Sequence, residues 1–144
     1  MSAPDSQTHA QWADARRWFA KADEDIRSAG LLLDTDPPLI DQAAFHCQQA
    51  AEKIIKGLLV ASGLAAPRIH DIERLAERAE PLYPALKPIM DELAQTTAWN
   101  AATRYPDLGM SLGAGASDVA DMLRRVETFR QTATALDPTP DGER

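Results

Sequence analysis

Cysteine is almost missing from this chain: Cys47 stands alone among 144 residues. A lone thiol closes no internal disulfide and excludes every structural metal site built on cysteine pairs. A reducing, cytoplasmic setting is the expectation that follows. No apolar run approaches the ~20 residues needed to cross a bilayer, so no membrane span is expected. Residues Met1 to Ala10 are polar and lack the apolar stretch of a secretory signal. Histidine is also sparse, and His9, His46 and His70 are too scattered to suggest a metal site by spacing. No metal and no cofactor is expected.

Basic residues are in deficit, with 15 Lys and Arg against 22 Asp and Glu, for a net charge of −7. Nucleic-acid backbones are held by positive charge, so this balance excludes a broad basic face and general DNA binding. The deficit is uneven. Residues 1–41 carry eight acids and four bases, 42–116 eight and seven, and 117–144 six and four. A local cationic site in the near-neutral middle stays open.

The familiar catalytic signatures are missing too. Gly109, Gly113 and Gly115 fall in one stretch, but no lysine follows Lys87, so there is no phosphate-binding loop of the Gly-x-x-x-x-Gly-Lys type. Neither a Gly-x-Ser-x-Gly elbow nor His-Glu-x-x-His occurs.

What is present is helical periodicity. Ala15, Trp18, Ala22, Ile26, Ala29 and Leu33 step by three or four residues, which is one stripe of an amphipathic helix. The acidic run Asp23, Glu24 and Asp25 falls largely off that stripe and is expected in solvent. Asp36-Pro37-Pro38 ends this helix, because proline removes an amide donor and disfavours α geometry before it. A second helix, with Ala44, Cys47, Ala51, Ile54 and Leu58 inward, is expected to run to about Ser62 and stop at Gly63. Asp71 suits the cap of a short third helix bearing Ile72, Leu75 and Ala79. A fourth is predicted from about Ala85 to Ala101, with Pro88 tolerated in its first turn.

Arg104 to Gly115 reads as an irregular loop. A last helix starts near Ser117 or Asp118, with Val119, Met122, Leu123, Val126 and Phe129 inward. No stretch alternates with period two. The expected fold is all-α: an up-and-down bundle of four main helices plus one short helix over residues 11–136. Flexible ends are expected at 1–10 and 137–144.

Two segments stand out as chemistry. On the second helix Gln42, His46, Gln49, Lys53 and Lys56 follow one another at steps of four, three, four and three, lining up on one face outside the apolar stripe. Such a line is either a plain solvated face, with Glu52 and Lys56 as a surface i,i+4 pair, or an anion site, since lysines with hydrogen-bonding neighbours suit phosphate. The second segment is Arg104-Tyr105-Pro106-Asp107. Arginine offers a planar fork to phosphate, and tyrosine a ring or hydroxyl to a base. Its plain alternative is a structural corner in which Asp107 holds Arg104.

The stretch Ala44-Phe45-His46-Cys47-Gln48-Gln49-Ala50-Ala51-Glu52-Lys53-Ile54-Ile55-Lys56-Gly57-Leu58-Leu59 resembles the second-helix signature of the HEPN domain family. His70-Asp71-Ile72 resembles the start of that family's third helix, and Arg104-Tyr105-Pro106-Asp107 its late motif. Trp18 to Leu33, with Ala22-Asp23-Glu24-Asp25 inside it, fits the opening helix. The resemblance spans roughly residues 12–130.

It implies a small helical bundle that homodimerises, with a polar site near the dimer cleft. It also implies binding of nucleotides or RNA, and partnership with a minimal nucleotidyltransferase in a toxin–antitoxin-like pair. One branch of the family comprises metal-independent endoribonucleases that carry histidine four to six residues after the arginine. Here no histidine follows His70, so that acid/base partner is missing.

The expected ligand contacts are therefore Lys53, Lys56 and Arg104 to an anion, and His46, Gln49 and Tyr105 to base or sugar, with Asp107 orienting Arg104. No catalytic residue is assigned. The rival readings are a ribonuclease toxin in which His46 or His70 replaces the missing histidine, and a dimeric interaction module that binds no ligand.

Overall fold

The computed structural model describes residues 3–95 and 115–139, and among these the only regular elements are helices. Five α-helices follow one another: α1 (Ser6–Leu33), α2 (Ile40–Ala61), α3 (Ile72–Ala79), α4 (Lys87–Ala94) and α5 (Ala116–Ala135). A single 3₁₀ turn, Pro84–Leu86, leads into α4. The all-α helical bundle expected from the periodicity is the observed fold. Arg104, Tyr105 and Asp107 lie outside the described residues, as do the predicted loop before Gly115 and residues 96–101 of the predicted fourth helix; α4 itself begins at Lys87 and ends at Ala94.

The helix ends follow the local chemistry. Asp5 caps α1 by accepting the Thr8 amide at 2.8 Å, so the helix begins at Ser6, earlier than the predicted start of the bundle at residue 11. The Thr8 amide hydrogen bond holds the Asp5 carboxyl below its ordinary value. At the other end of α2, Gly63 takes φ +89°. Its amide donates to Val60 at 2.9 Å and that of Leu64 to Leu59 at 3.1 Å. This is a Schellman closure, and only glycine adopts its left-handed residue without strain. Asp71 caps α3 through the Glu73 amide at 2.9 Å, as expected. Asp118 reaches back to the Gly115 amide at 2.9 Å and starts α5 at Ala116.

Helix α2 is the centre of the bundle. Ala43, Ala44, Cys47, Ala50, Ala51, Ile54, Ile55, Leu58 and Leu59 are all buried, which is more than one stripe and marks a helix covered on several sides. Burial pushes the Cys47 thiol up to about 12, with the Glu127 carboxylate adding to the effect, so the group stays protonated and inert at neutral pH. Helix α1 packs along α2 through Trp12, Ala15, Phe19, Ala22 and Ala29. The packing is tight at Gly57, where a Cβ would lie 2.5 Å from Phe19 Cε1 and 3.1 Å from Trp18 Cβ.

Polar ties close the bundle. Arg130 of α5 grips Asp23 through Nε at 2.8 Å and its guanidinium lies 5.0 Å from the Phe19 ring centre. Tyr83 and Ser62 share a 2.8 Å hydrogen bond, and the Tyr83 hydroxyl also donates to the Leu58 carbonyl at 3.2 Å. Residues 137–139, expected as a flexible tail, are instead held to α1. Arg16 donates to Asp137 at 2.6 Å and to Thr139 at 3.1 Å, and Thr139 is buried. Burial alone would raise the Asp137 carboxyl. The hydrogen bonds from the Thr139 hydroxyl and amide and from Arg16 outweigh that and leave it below its ordinary value.

Two tests follow from this packing. Gly57→Ala gains about 1 kcal/mol of helix propensity but overpacks the buried Phe19 ring. A net loss of roughly 1–2 kcal/mol is expected, seen as a lowered Tm. Because Asp137 is depressed in the folded state, its stabilisation is present above the unfolded carboxyl value and is lost as pH falls through the folded one. Asp137→Asn is therefore expected to cost up to about 1 kcal/mol at pH 7. The gap to wild type should close in urea titrations below pH 3.8, the ordinary value for this carboxyl.

Candidate functional site

Helix α2 carries the line of polar residues picked out by spacing, and the structure divides it. Gln42 is exposed, while His46, Gln49 and Lys53 are half-buried along one side. Lys56, expected on the same open face, is 5% exposed and belongs to the interior. It turns inward because α2 is covered nearly all round by its neighbours, so the fifth position of the line no longer meets solvent.

The residue that organises the line comes from α1. Asp25 was expected in solvent with Asp23 and Glu24, yet it is 6% exposed and faces α2. Its position explains why. The buried stripe of α1 runs Ala15, Phe19, Ala22, Asp25, Ala29, at three- and four-residue steps, so Asp25 occupies a core position and needs partners there. Oδ1 meets His46 Nδ1 at 2.8 Å and Oδ2 accepts from Lys53 Nζ at 2.5 Å. Both partners keep an outlet to solvent, the His46 side chain at 30% exposure and that of Lys53 at 25%.

A second carboxylate repeats the arrangement. Glu52 is buried on α2, and its Oε1 meets His70 Nδ1 at 3.1 Å while Oε2 lies 3.5 Å from Lys56 Nζ. The i,i+4 pair read as an ordinary surface contact is thus a buried one. Lys56 also sits 5.8 Å from the centre of the Trp18 ring, within cation–π range. Gln48 is buried beside this group. Its Nε2 donates to the His70 carbonyl at 3.4 Å, and its Oε1 has no hydrogen-bond partner among the described residues.

Each carboxylate therefore joins one histidine to one lysine. An ionised carboxylate only accepts, so a neutral imidazole facing it must carry its proton on Nδ1, leaving Nε2 as an acceptor. With both rings neutral, each His–carboxylate–Lys group sums to zero charge. Neither lysine is therefore a bare cation, since Lys53 is paired with Asp25 and Lys56 with Glu52. The cleft between α3 and α4 is a poorer anion site, since Glu73, Glu77, Glu80 and Asp91 line it together with Lys87. Among the described residues no group of three or more His, Cys, Asp or Glu side chains is placed to hold a metal ion.

Sequence spacing gives His46, Lys53 and Lys56 and pairs Lys56 with Glu52, but it does not give Asp25 as a partner or the burial of Glu52. For Asp25 the signal was present: it lies three residues from Ala22 and four from Ala29, on the stripe rather than beside it. For Glu52 it was hidden, because its burial depends on what packs over α2.

The buried Glu52–Lys56 pair makes a testable demand on stability. Lys56→Met leaves Glu52 charged in the interior and is expected to cost about 3 kcal/mol in chemical denaturation. Adding Glu52→Gln removes the stranded charge, and most of that loss should return in the double variant.

Comparison with known proteins adds one assignment. No curated protein and no solved structure matches the chain. The family model for the HEPN domain matches residues 15–136, which takes in α1 from Ala15 onward, α2 to α5 and both histidine–carboxylate–lysine groups. The chain belongs to the HEPN domain family.

Proposed function

We propose that this protein binds a nucleotide or an RNA phosphate at the α1–α2 surface without cleaving it. The observation that carries the reading is the Asp25 group. A buried carboxylate presents a lysine and a histidine side by side to solvent, in a domain of a nucleotide-binding and ribonuclease-type family. Lys53 is the direct anion contact, and His46 and Gln49 are its neighbours toward base or sugar. Lys56 contributes from the interior through its pair with Glu52. Since Asp25 cancels Lys53, a second exposed cation is required, and Arg104 is assigned that role, with Tyr105 beside it and Asp107 orienting it. The protein is read as a homodimer in a toxin–antitoxin-like pairing with a minimal nucleotidyltransferase, a partnership supported by family membership alone.

A second reading has its own observation. A histidine held by a buried carboxylate is how a general base is oriented, and His46 meets that description. On this reading the protein is a metal-independent endoribonuclease in which His46 replaces the histidine missing after Arg104.

Calorimetric titration with mono-, di- and trinucleotides and a short RNA, at two salt concentrations, tests the binding. Lys53→Ala and Arg104→Ala are each expected to cost roughly 1.5–3 kcal/mol, or about ten- to a hundredfold in Kd. Arg104→Lys should also weaken binding, because an ammonium cannot reproduce the bidentate fork. Lys21→Ala and Lys87→Ala should change little. The RNA is expected to be recovered intact. Cleavage abolished by His46→Ala would establish the second reading, and absence of all binding would leave an interaction module.

A further inference from the structure

The two side chains proposed to meet the ligand are not independent, because one carboxylate holds both. Asp25 gives Oδ1 to His46 and Oδ2 to Lys53, at 2.8 and 2.5 Å. The carboxylate has no proton to donate, so it accepts a hydrogen bond from Nδ1–H of a neutral His46 ring, and in that tautomer Nε2 carries a bare lone pair. The His46 side chain is partly exposed, and nothing among the described residues hydrogen-bonds Nε2. A bare lone pair repels a phosphate oxygen and accepts from a hydroxyl. The Lys53 ammonium on the same carboxylate does the opposite, donating to an anion. The pair therefore reads a hydroxyl donor lying next to a phosphate, and on a nucleic acid the group of that description is the ribose 2′-hydroxyl.

We infer that Asp25 is a positioning residue that fixes His46 with Nε2 as an acceptor, so that the Asp25–His46–Lys53 group selects ribonucleotides over their 2′-deoxy counterparts. The inference rests on the nucleotide-binding reading above and deepens it. It also fixes what a change at Asp25 does. In Asp25→Asn, Lys53 is still a pure donor and claims the amide oxygen. The amide NH₂ is then left facing His46 Nδ1, which must become the acceptor, and the proton moves to Nε2. The ring now offers a donor, which a phosphate oxygen accepts as readily as a hydroxyl does, so the hydroxyl is no longer singled out. At the same time the negative charge that cancelled Lys53 is gone.

The experiment is calorimetric titration of ribo- and 2′-deoxyribo-trinucleotides of one sequence composed of A, C and G, with thermal melts to confirm folding of each variant. Wild type is expected to prefer the ribo form by about five- to tenfold, the worth of one neutral hydrogen bond. Asp25→Asn should collapse that ratio to near one while affinity for the deoxy form holds or rises, which a merely structural loss would not produce. His46→Ala, which leaves Asp25 and Lys53 in place, should also collapse the ratio. Lys53→Ala should weaken both ligands together and keep it. Equal binding of the two trinucleotides by wild type overturns the inference and leaves the nucleotide-binding reading standing. A ribo preference that survives in both Asp25→Asn and His46→Ala overturns it as well. Binding of neither trinucleotide by wild type overturns both.

Discussion

The close approach of α1 to α2 is the constraint on which the rest of this protein depends. Both helices present small residues to the interior: Ala15, Ala22 and Ala29 on α1, and Ala43, Ala44, Ala50, Ala51 and Gly57 on α2. Small side chains let two helix axes come near, and at Gly57 the space is already filled by the Phe19 ring. At that separation a short aspartate on one helix spans the gap to the other. Asp25 reaches His46 and Lys53 directly, and the two are seven residues apart, so one carboxylate pins two turns of α2.

Buried charge explains the electrical character of the site. A carboxylate taken out of water is costly unless it is paired and hydrogen-bonded, and both Asp25 and Glu52 meet that need with a histidine and a lysine. The lysines are consumed in the process. What reaches solvent at Asp25 is a pair of partly exposed side chains, His46 and Lys53, whose shared carboxylate already offsets the lysine charge. That agrees with a chain whose net charge is −7. The remaining helices serve this core. Helix α5 is drawn onto α1 by Arg130 and Asp23, and the segment after it by Arg16, Asp137 and Thr139.

Local chemistry, which acts over a few residues, was legible from the residues themselves. Asp71, Gly63 and Pro88 mark ends or first turns of helices because capping, left-handed backbone and a missing amide are properties of single positions. The apolar steps of α5 named its buried residues Val119, Met122, Val126 and Phe129. The helical class followed from spacing alone, and the line His46, Gln49, Lys53 on α2 was visible in the same way. Helix α1 reaches into the end expected to be flexible, because Asp5 caps it at Ser6, and a cap of this kind is a local signal too.

Burial of polar groups was decided elsewhere. Periodicity assigns a face to a residue but does not say how many faces its neighbours will cover. Lys56 and Glu52 look like a solvated pair until α2 is surrounded, and Asp137 and Thr139 look like a tail until Arg16, more than a hundred residues earlier, reaches them. Asp25 lies between these cases: its register was written in the chain, but its partners were not. The sequence by itself determined which helices form and which residues could carry charge to a ligand. Only the tertiary structure decided which of those charges are cancelled, because Coulomb pairing depends on distance in space and not on separation along the chain.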